Sequence, residues 1–381
     1  MYGHRKPGVA RDKSNKKPMA KNKQQGITLF RMNLMLWNST HNHRQMPWKG
    51  EKKPYKIWLS EIILQQTRVE QGWAYYEKFI KHFPTIKHLA KAKDDDVFKL
   101  WEGLGYYSRC KNLLVTARLI TTEFDGEFPD KYEAILELKG IGPYTAAAIA
   151  SFAFNLPHAV VDGNVFRVLA RYFGIQTPSD SSLGKKLFKA QADECLDQQQ
   201  PGQYNQAIMD FGATICTPAN AMCHCCPLAK QCVALQKNMV GTLPIKTKQL
   251  LIKRRWFTYF IIEKNKRVLV RKRVGKDIWQ SLHEFIMHEA QEPRSWGEKQ
   301  VKKFLQQHLS IEAELVSISE TYTQKLTHQI IYAQFIEVKI EASFTPPGDY
   351  FFQPKKTLSL LAFPKTITQY LQRTTVQTVI L

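Results

Sequence analysis

The chain has 381 residues, 44% of them hydrophobic and 12% aromatic. That is enough apolar material for more than one packed core, and too much for a disordered polypeptide. Lys and Arg number 55 against 33 Asp and Glu, a net charge of +22, which points to a densely anionic partner: nucleic acid, or an anionic membrane surface. No stretch approaches the roughly 20 apolar residues of a membrane span.

Residues 1–24 carry eight Lys/Arg against one Asp and almost no apolar side chains. They read as a disordered, solvated basic arm that aids solubility or tracks DNA. No apolar leader precedes them, so reducing surroundings are expected. From residue 25 to about 238 apolar residues recur at three- and four-residue spacing, predicting helices over Thr28–Trp37, Tyr55–Phe83, Asp94–Tyr106, Arg109–Phe124, Tyr132–Leu138, Pro143–Phe154, Asn164–Tyr172, Leu183–Leu196 and Gln203–Thr214. This is a mainly α domain. Residues 239–253, with Pro244 and several lysines, read as an exposed linker. Residues 254–381 change character: Trp256–Glu263 and Arg267–Arg273 are strand-like around a polar turn at Lys264–Lys266, Thr321–Ile340 continues in that style, and Trp296–Leu309 and Lys365–Leu371 are helical. A smaller α+β domain is expected there.

Five of the seven cysteines fall between Cys216 and Cys232. Cys216, Cys223, Cys226 and Cys232 have the spacing C-x6-C-x2-C-x5-C, with Cys225 left over. Four thiolates so close in sequence suit metal ligation better than a disulfide framework, and either zinc or a 4Fe–4S cluster accepts them. In Leu138-Lys139-Gly140-Ile141-Gly142-Pro143-Tyr144 a helix ends before two glycines that permit a tight left-handed turn, and Pro143 opens the next helix. Such a helix–hairpin–helix turns its amides outward at a helix N-terminus, where a phosphate can bind. Two carboxylates also stand out. Glu61 reads from its residue type as an exposed carboxylate on a helix edge, but it shares a helix face with Ile57, Trp58, Leu64 and Gln65, company that would partly desolvate it and raise its pKa. Asp162, ahead of Gly163-Asn164, reads as a helix N-cap.

Taken in order, Trp58-Leu59-Ser60-Glu61 with Leu64-Gln65-Gln66-Thr67, Gly103-Leu104-Gly105-Tyr106-Tyr107, Gly140-Ile141-Gly142, Val161-Asp162-Gly163-Asn164 and the Cys216 group closely resemble the MutY family of adenine DNA glycosylases in the helix–hairpin–helix superfamily. The resemblance spans about residues 27–237 and continues more faintly to the C-terminus. It implies a helix–hairpin–helix glycosylase domain with an iron–sulfur module, so a 4Fe–4S cluster is preferred over zinc, followed by a smaller Nudix-like domain. Glu61 would protonate the flipped adenine at N7, and Asp162 would stabilise the oxocarbenium-like sugar. Tyr144 stands where the endonuclease III type carries a Schiff-base lysine, so base excision by water without strand scission is implied.

By the same resemblance Gln66 and Tyr106 wedge beside the lesion base, Trp48 and Leu64 line the adenine pocket with Arg44 nearby, and Gly140, Gly142 and Asn164 belong to the DNA-facing set. The family's Phe-Ser-His loop, which reads 8-oxoguanine, falls at Leu326-Thr327-His328. The hydroxyl and imidazole are kept there and the aromatic is lost. The C-terminal domain lacks a Nudix box, so pyrophosphate hydrolysis is not expected. The implied partner is double-stranded DNA with A:8-oxoguanine or A:G mispairs, bound by a monomer without a membrane. The expected location is cytoplasmic in a bacterium, and nuclear or mitochondrial in a eukaryote. Two alternatives are an endonuclease III-like glycosylase/lyase and a non-catalytic metal-containing DNA-binding protein. Tyr144 argues against the first, and Glu61 with Asp162 against the second.

Overall fold

The structure, a computed structural model, describes residues 16–247, 251–341 and 343–379. Residues Met1–Glu61 and Phe128–Lys248 form one compact unit, and Ile62–Glu127 with Gln249–Leu381 the other. The helices run α1 (Lys16–Thr40), α2 (Pro54–Leu64), α3 (Val69–His82), α4 (Ile86–Lys91), α5 (Asp94–Trp101), α6 (Tyr107–Glu123), α7 (Tyr132–Glu137), α8 (Pro143–Phe154), α9 (Gly163–Phe173), α10 (Ser182–Cys195), α11 (Pro201–Thr214) and the short α12 (Val233–Gln236). None is long and apolar enough to cross a membrane among the described residues.

The first unit is built around α1, α8, α9 and α11. Ile27, Phe30, Leu34 and Trp37 of α1 repeat on one helical face and are buried against Val168, Leu169, Tyr204, Ile208 and Phe211. The basic arm expected through residue 24 is corrected here. Residues 1–15 lie outside the described residues, but Lys16 onward is helix. The packed half of α1 supplies the costly nucleus, so Lys, Met, Ala and Gln ahead of it are added at the low price of propagation. Pro18 is tolerated because it sits in the first turn.

A second correction concerns the single helix expected over Tyr55–Phe83, which is two. It stops at Leu64, and Gln66 takes a left-handed φ of 58°. The exposed carbonyls of that helix end are taken by one buried guanidinium: Arg109 Nη1 donates to the carbonyls of Ile62 (2.8 Å), Ile63 (2.9 Å) and Gln65 (2.6 Å). An apolar periodicity continues straight through such a break, so the pattern alone hides it. The following helix packs closely, because a Cβ on Gly72 would lie 2.9 Å from Leu64 Cδ2.

In the second unit, β1 (Lys253–Lys264), β2 (Arg267–Lys272), β3 (His283–Glu284), β4 (Ile286–Ala290), β5 (Glu314–Ile318), β6 (Tyr322–Lys325), β7 (Gln329–Lys339) and β8 (Phe351–Pro354) form one sheet, with α13 (Glu298–Leu309) and α14 (Lys365–Val379) beside it in sequence. β1 pairs with β7 in parallel and with β2 and β4 antiparallel. Asn265 and Lys266 make the β1–β2 turn with φ of 50° and 58°, the paired left-handed residues that match strand twist in a two-residue hairpin. A face of Phe260, Ile262, Leu269, Ile336 and Val338 buries against Trp296, Val301, Phe304 and Leu305. The α+β expectation holds.

The units do not follow the sequence boundaries at 238 and 254. Residues 62–127 associate with the C-terminal residues because charged groups of α5 and its C-cap Glu102 are satisfied there. Lys99 Nζ donates to the Leu361 carbonyl (3.1 Å), Glu102 Oε1 accepts from Phe363 N (2.9 Å) and from the Thr368 hydroxyl (3.1 Å), and Lys272 pairs with Asp95 at 2.6 Å. The expected linker is also partly core: Leu243 is 2% exposed, and its carbonyl accepts from Arg171 Nε at 3.1 Å.

Candidate active site

Glu61 lies on α2 in an apolar run, IWLSEIIL, and is only 6% exposed. Burial pushes its carboxyl up to about 7, with Asp162 adding to the rise and a hydrogen bond from Tyr144 opposing it. A carboxyl poised there is both a proton donor and, once spent, an acceptor at neutral pH. Tyr144 enters from the first turn of α8, and burial together with the two carboxylates keeps its hydroxyl protonated, well above the ordinary tyrosine range. A reaction that takes its proton from Glu61 should slow about tenfold per pH unit above pH 7. Tyr144→Phe removes the contact that holds the carboxyl down, so this limb of the pH–rate profile should move to higher pH. A limb that stays in place would separate Tyr144 from the titration.

Asp162 is the N-cap of α9, with Oδ1 accepting from Val165 N at 2.8 Å. Oδ2 accepts from Asn164 Nδ2 at 2.7 Å, and Asn164 Oδ1 is in turn held by Arg167 Nη2 at 2.8 Å. Burial raises the Asp162 pKa, and these donors with the Arg167 charge pull it back. The cap reading from sequence is right, and the capping carboxylate lies within electrostatic reach of Glu61. Asn164, expected to face DNA, has its amide occupied in orienting Asp162. The glycine expectation is half right: Gly140 has φ +81°, whereas Gly142 is an extended N-cap of α8 at φ −98°. Both are exposed, and open space lies where a Gly142 Cβ would be.

Trp48 is buried at 8% exposure. Arg44 does not stand free, since its Nη1 is 2.9 Å from Asp210 Oδ1. Asp210, fully buried on α11, also takes Lys49 (3.1 Å), Asn42 (2.9 Å) and Gln206 (3.0 Å). Sequence reasoning missed this carboxylate, which ties the 42–49 loop to the core. The signal was an Asp inside an apolar helical run, and it pointed to no partner.

In the second unit, Leu64 is half-buried and Gln66 exposed on the left-handed turn described above. Tyr106, also left-handed at φ 48° and 42% exposed, precedes α6. Its hydroxyl is hydrogen-bonded to that of Thr327 in the β6–β7 hairpin. Thr327 and His328 are both exposed, so the expected wedge and the expected reading loop meet at one place.

Cys216, Cys223, Cys226 and Cys232 follow α11 as free thiols. Cys223, Cys226 and Cys232 each lie within electrostatic reach of Cys216. Arg171 Nη1 is 3.5 Å from Cys216 Sγ. Burial pushes the Cys226 thiol up to about 12. Among the described residues no three His, Cys, Asp or Glu side chains are drawn to a single-ion site. Cys225 is exposed and turns its Sγ to the Met222 carbonyl.

Residues 59–191 match the HhH-GPD superfamily of base excision DNA repair proteins, and residues 258–373 match a NUDIX domain. An adenine DNA glycosylase of Buchnera aphidicola subsp. Baizongia pistaciae is 33% identical over 305 residues, 80% of this chain and 84% of that protein. One from subsp. Schizaphis graminum is 37% identical over 259 residues, 67% of this chain and 74% of that protein. The solved structure of a thermostable thymine-DNA glycosylase superposes with a TM-score of 0.53 at 29% identity, covering 57% of this chain and 99% of that one.

Proposed function

Because the chain belongs to the adenine DNA glycosylase (MutY) family of helix–hairpin–helix base excision repair enzymes, we propose that it removes adenine mispaired with 8-oxoguanine or guanine in duplex DNA. The observation that carries this reading is the constellation of buried Glu61 with half-buried Tyr144 and Asp162. Glu61 delivers its proton to N7 of the extruded adenine, and the C1′–N9 electron pair leaves with the base. Asp162 faces the cation that develops at C1′. Water then adds at C1′ and returns a proton to the Glu61 carboxylate. Tyr144 offers no amine, so no Schiff base forms and the product is an abasic site in an intact strand. The exposed Gly140–Gly142 turn at the N-terminus of α8 supplies a phosphate hold, and the +22 charge favours the DNA backbone as a whole.

The test is single-turnover excision on an A:8-oxoguanine duplex, scored with and without alkali. Strand breaks should appear only after alkali. Breaks that form without it would favour a glycosylase/lyase, and no abasic product at all would favour a binding protein.

The four thiols that follow α11, three of them within electrostatic reach of Cys216 and with the Arg167 and Arg171 charges beside Cys216 to offset thiolates, fit a 4Fe–4S cluster held by Cys216, Cys223, Cys226 and Cys232. Such a cluster would supply structure, fixing the loop around Ala229–Lys230, and no chemistry at the base. Protein purified without oxygen should be brown and contain iron and sulfide in equal amounts. Colourless protein with one zinc per chain would overturn the assignment.

A further inference from the structure

Beside Tyr106 and Thr327 the second unit holds a cleft of about 430 Å³, lined among others by Tyr106, Lys111, Gln280, Thr327 and His328. One wall is the loop 274–281, which no motif marked. It is held in an uncommon conformation: Trp279 and Ser281 have φ of 63° and 72°, values that cost non-glycine residues energy and persist only where the surroundings enforce them. The enforcement is visible. Asp277 receives a bidentate pair from buried Arg255 (2.9 and 2.8 Å) and a third contact from Arg273 (3.1 Å). Ser281 N donates to the Arg273 carbonyl at 2.8 Å, and Trp279 is buried edge-on against Phe257. The residue this framework presents to the cleft is Gln280. Its Nε2 donates to the Val274 carbonyl at 2.8 Å, and its Oε1 receives only a 3.4 Å contact from the exposed Lys111, close to the limit of a hydrogen bond.

We propose that Gln280 is a second reader of the base opposite the excised adenine, its carboxamide recognising the oxidised edge of 8-oxoguanine. This rests on the functional reading above, in which Tyr106 and Thr327 lie beside that base. The chemistry is complementary. Guanine presents an acceptor at N7 and only carbon-bound hydrogen at C8, whereas 8-oxoguanine presents an N7–H donor next to a C8 carbonyl acceptor. A carboxamide offers an acceptor and a donor side by side, and amide pairs of this kind discriminate bases when both bonds form. Oε1 takes N7–H and Nε2 gives to O8. Lys111, released from its long contact, is then free for the neighbouring phosphate. The strained, ion-paired loop holds the amide in place before DNA arrives.

The experiment compares single-turnover excision of adenine opposite 8-oxoguanine and opposite guanine by the full-length wild type and Gln280→Ala, with thermal melts of both proteins. Gln280→Ala should lower the preference for the 8-oxoguanine duplex about tenfold and leave the rate opposite guanine within about twofold. A third duplex carries 8-methoxyguanine, which keeps an oxygen on C8 but has no N7–H, and on it the two proteins should be equal. An unchanged preference overturns the assignment, and so does an equal loss on all duplexes. A wild type inert on every duplex would instead remove the functional reading itself.

Discussion

Glu61→Gln should reduce adenine excision by about 10²–10⁴-fold, the scale of losing a general acid, while binding of the mispaired duplex stays near wild type. The substitution keeps size and shape, and its amide oxygen still accepts from Tyr144. It cannot give a proton to a purine nitrogen. Affinity should survive because the phosphate contacts that dominate it come from other residues. The same variant should be more stable than wild type, with a sign set by linkage. The Glu61 pKa rises from the ordinary 4.5 to about 7 on folding. Stability present below 4.5 is therefore lost as the pH rises through about 7, where a buried charge forms. Gln carries no such charge, so wild type and variant should melt alike at pH 4.5 and diverge by on the order of a few kcal/mol at pH 8. An active site that stores this cost trades stability for function. Normal excision by Glu61→Gln, or a melting difference independent of pH, would show that this carboxyl is not the acid.

How much of this was legible beforehand differs by residue, for physical reasons. The helical domain followed from local periodicity, and the Asp162 cap from the order of residue types at one helix start. Glu61 was ambiguous, because one turn of apolar neighbours is compatible with an exposed helix edge. What decides its pKa is first its burial in the folded chain and then Tyr144 and Asp162, 83 and 101 positions away in sequence. Arg109 closing α2, Asp210 gathering Arg44 and Lys49, and Arg255 bracing the 274–281 loop are buried charges paired with distant partners. No local pattern encodes such pairs, so they surface only when the chain is folded. Composition identified the basic N-terminal segment correctly as charged and missed that it continues a helix, because charge and helix propensity are independent in Lys-rich runs.

Asp162 allows catalysis and architecture to be separated by a single pair of variants. Asp162→Asn should lose about 10²–10³-fold in excision, the scale seen when one preorganised electrostatic partner of a developing charge is removed. Asn is as good an N-cap as Asp, so the bond to Val165 N at 2.8 Å is retained. The cost lies at the other oxygen. There the new Nδ2 would face Asn164 Nδ2, now a donor to Oδ2 at 2.7 Å, and Asn164 cannot simply rotate because its own oxygen is held by Arg167. One such mismatch costs about 1–3 kcal/mol, so a modest fall in melting temperature is expected beside a large fall in rate. Asp162→Ala removes the cap as well, which adds about 0.5–2 kcal/mol of destabilisation but little further loss of activity, since the charge is already gone. The two variants should therefore be close in rate and well separated in melting temperature. If rate instead tracks melting temperature across the pair, Asp162 acts by holding α9 in place, and the carboxylate facing the sugar must be sought elsewhere.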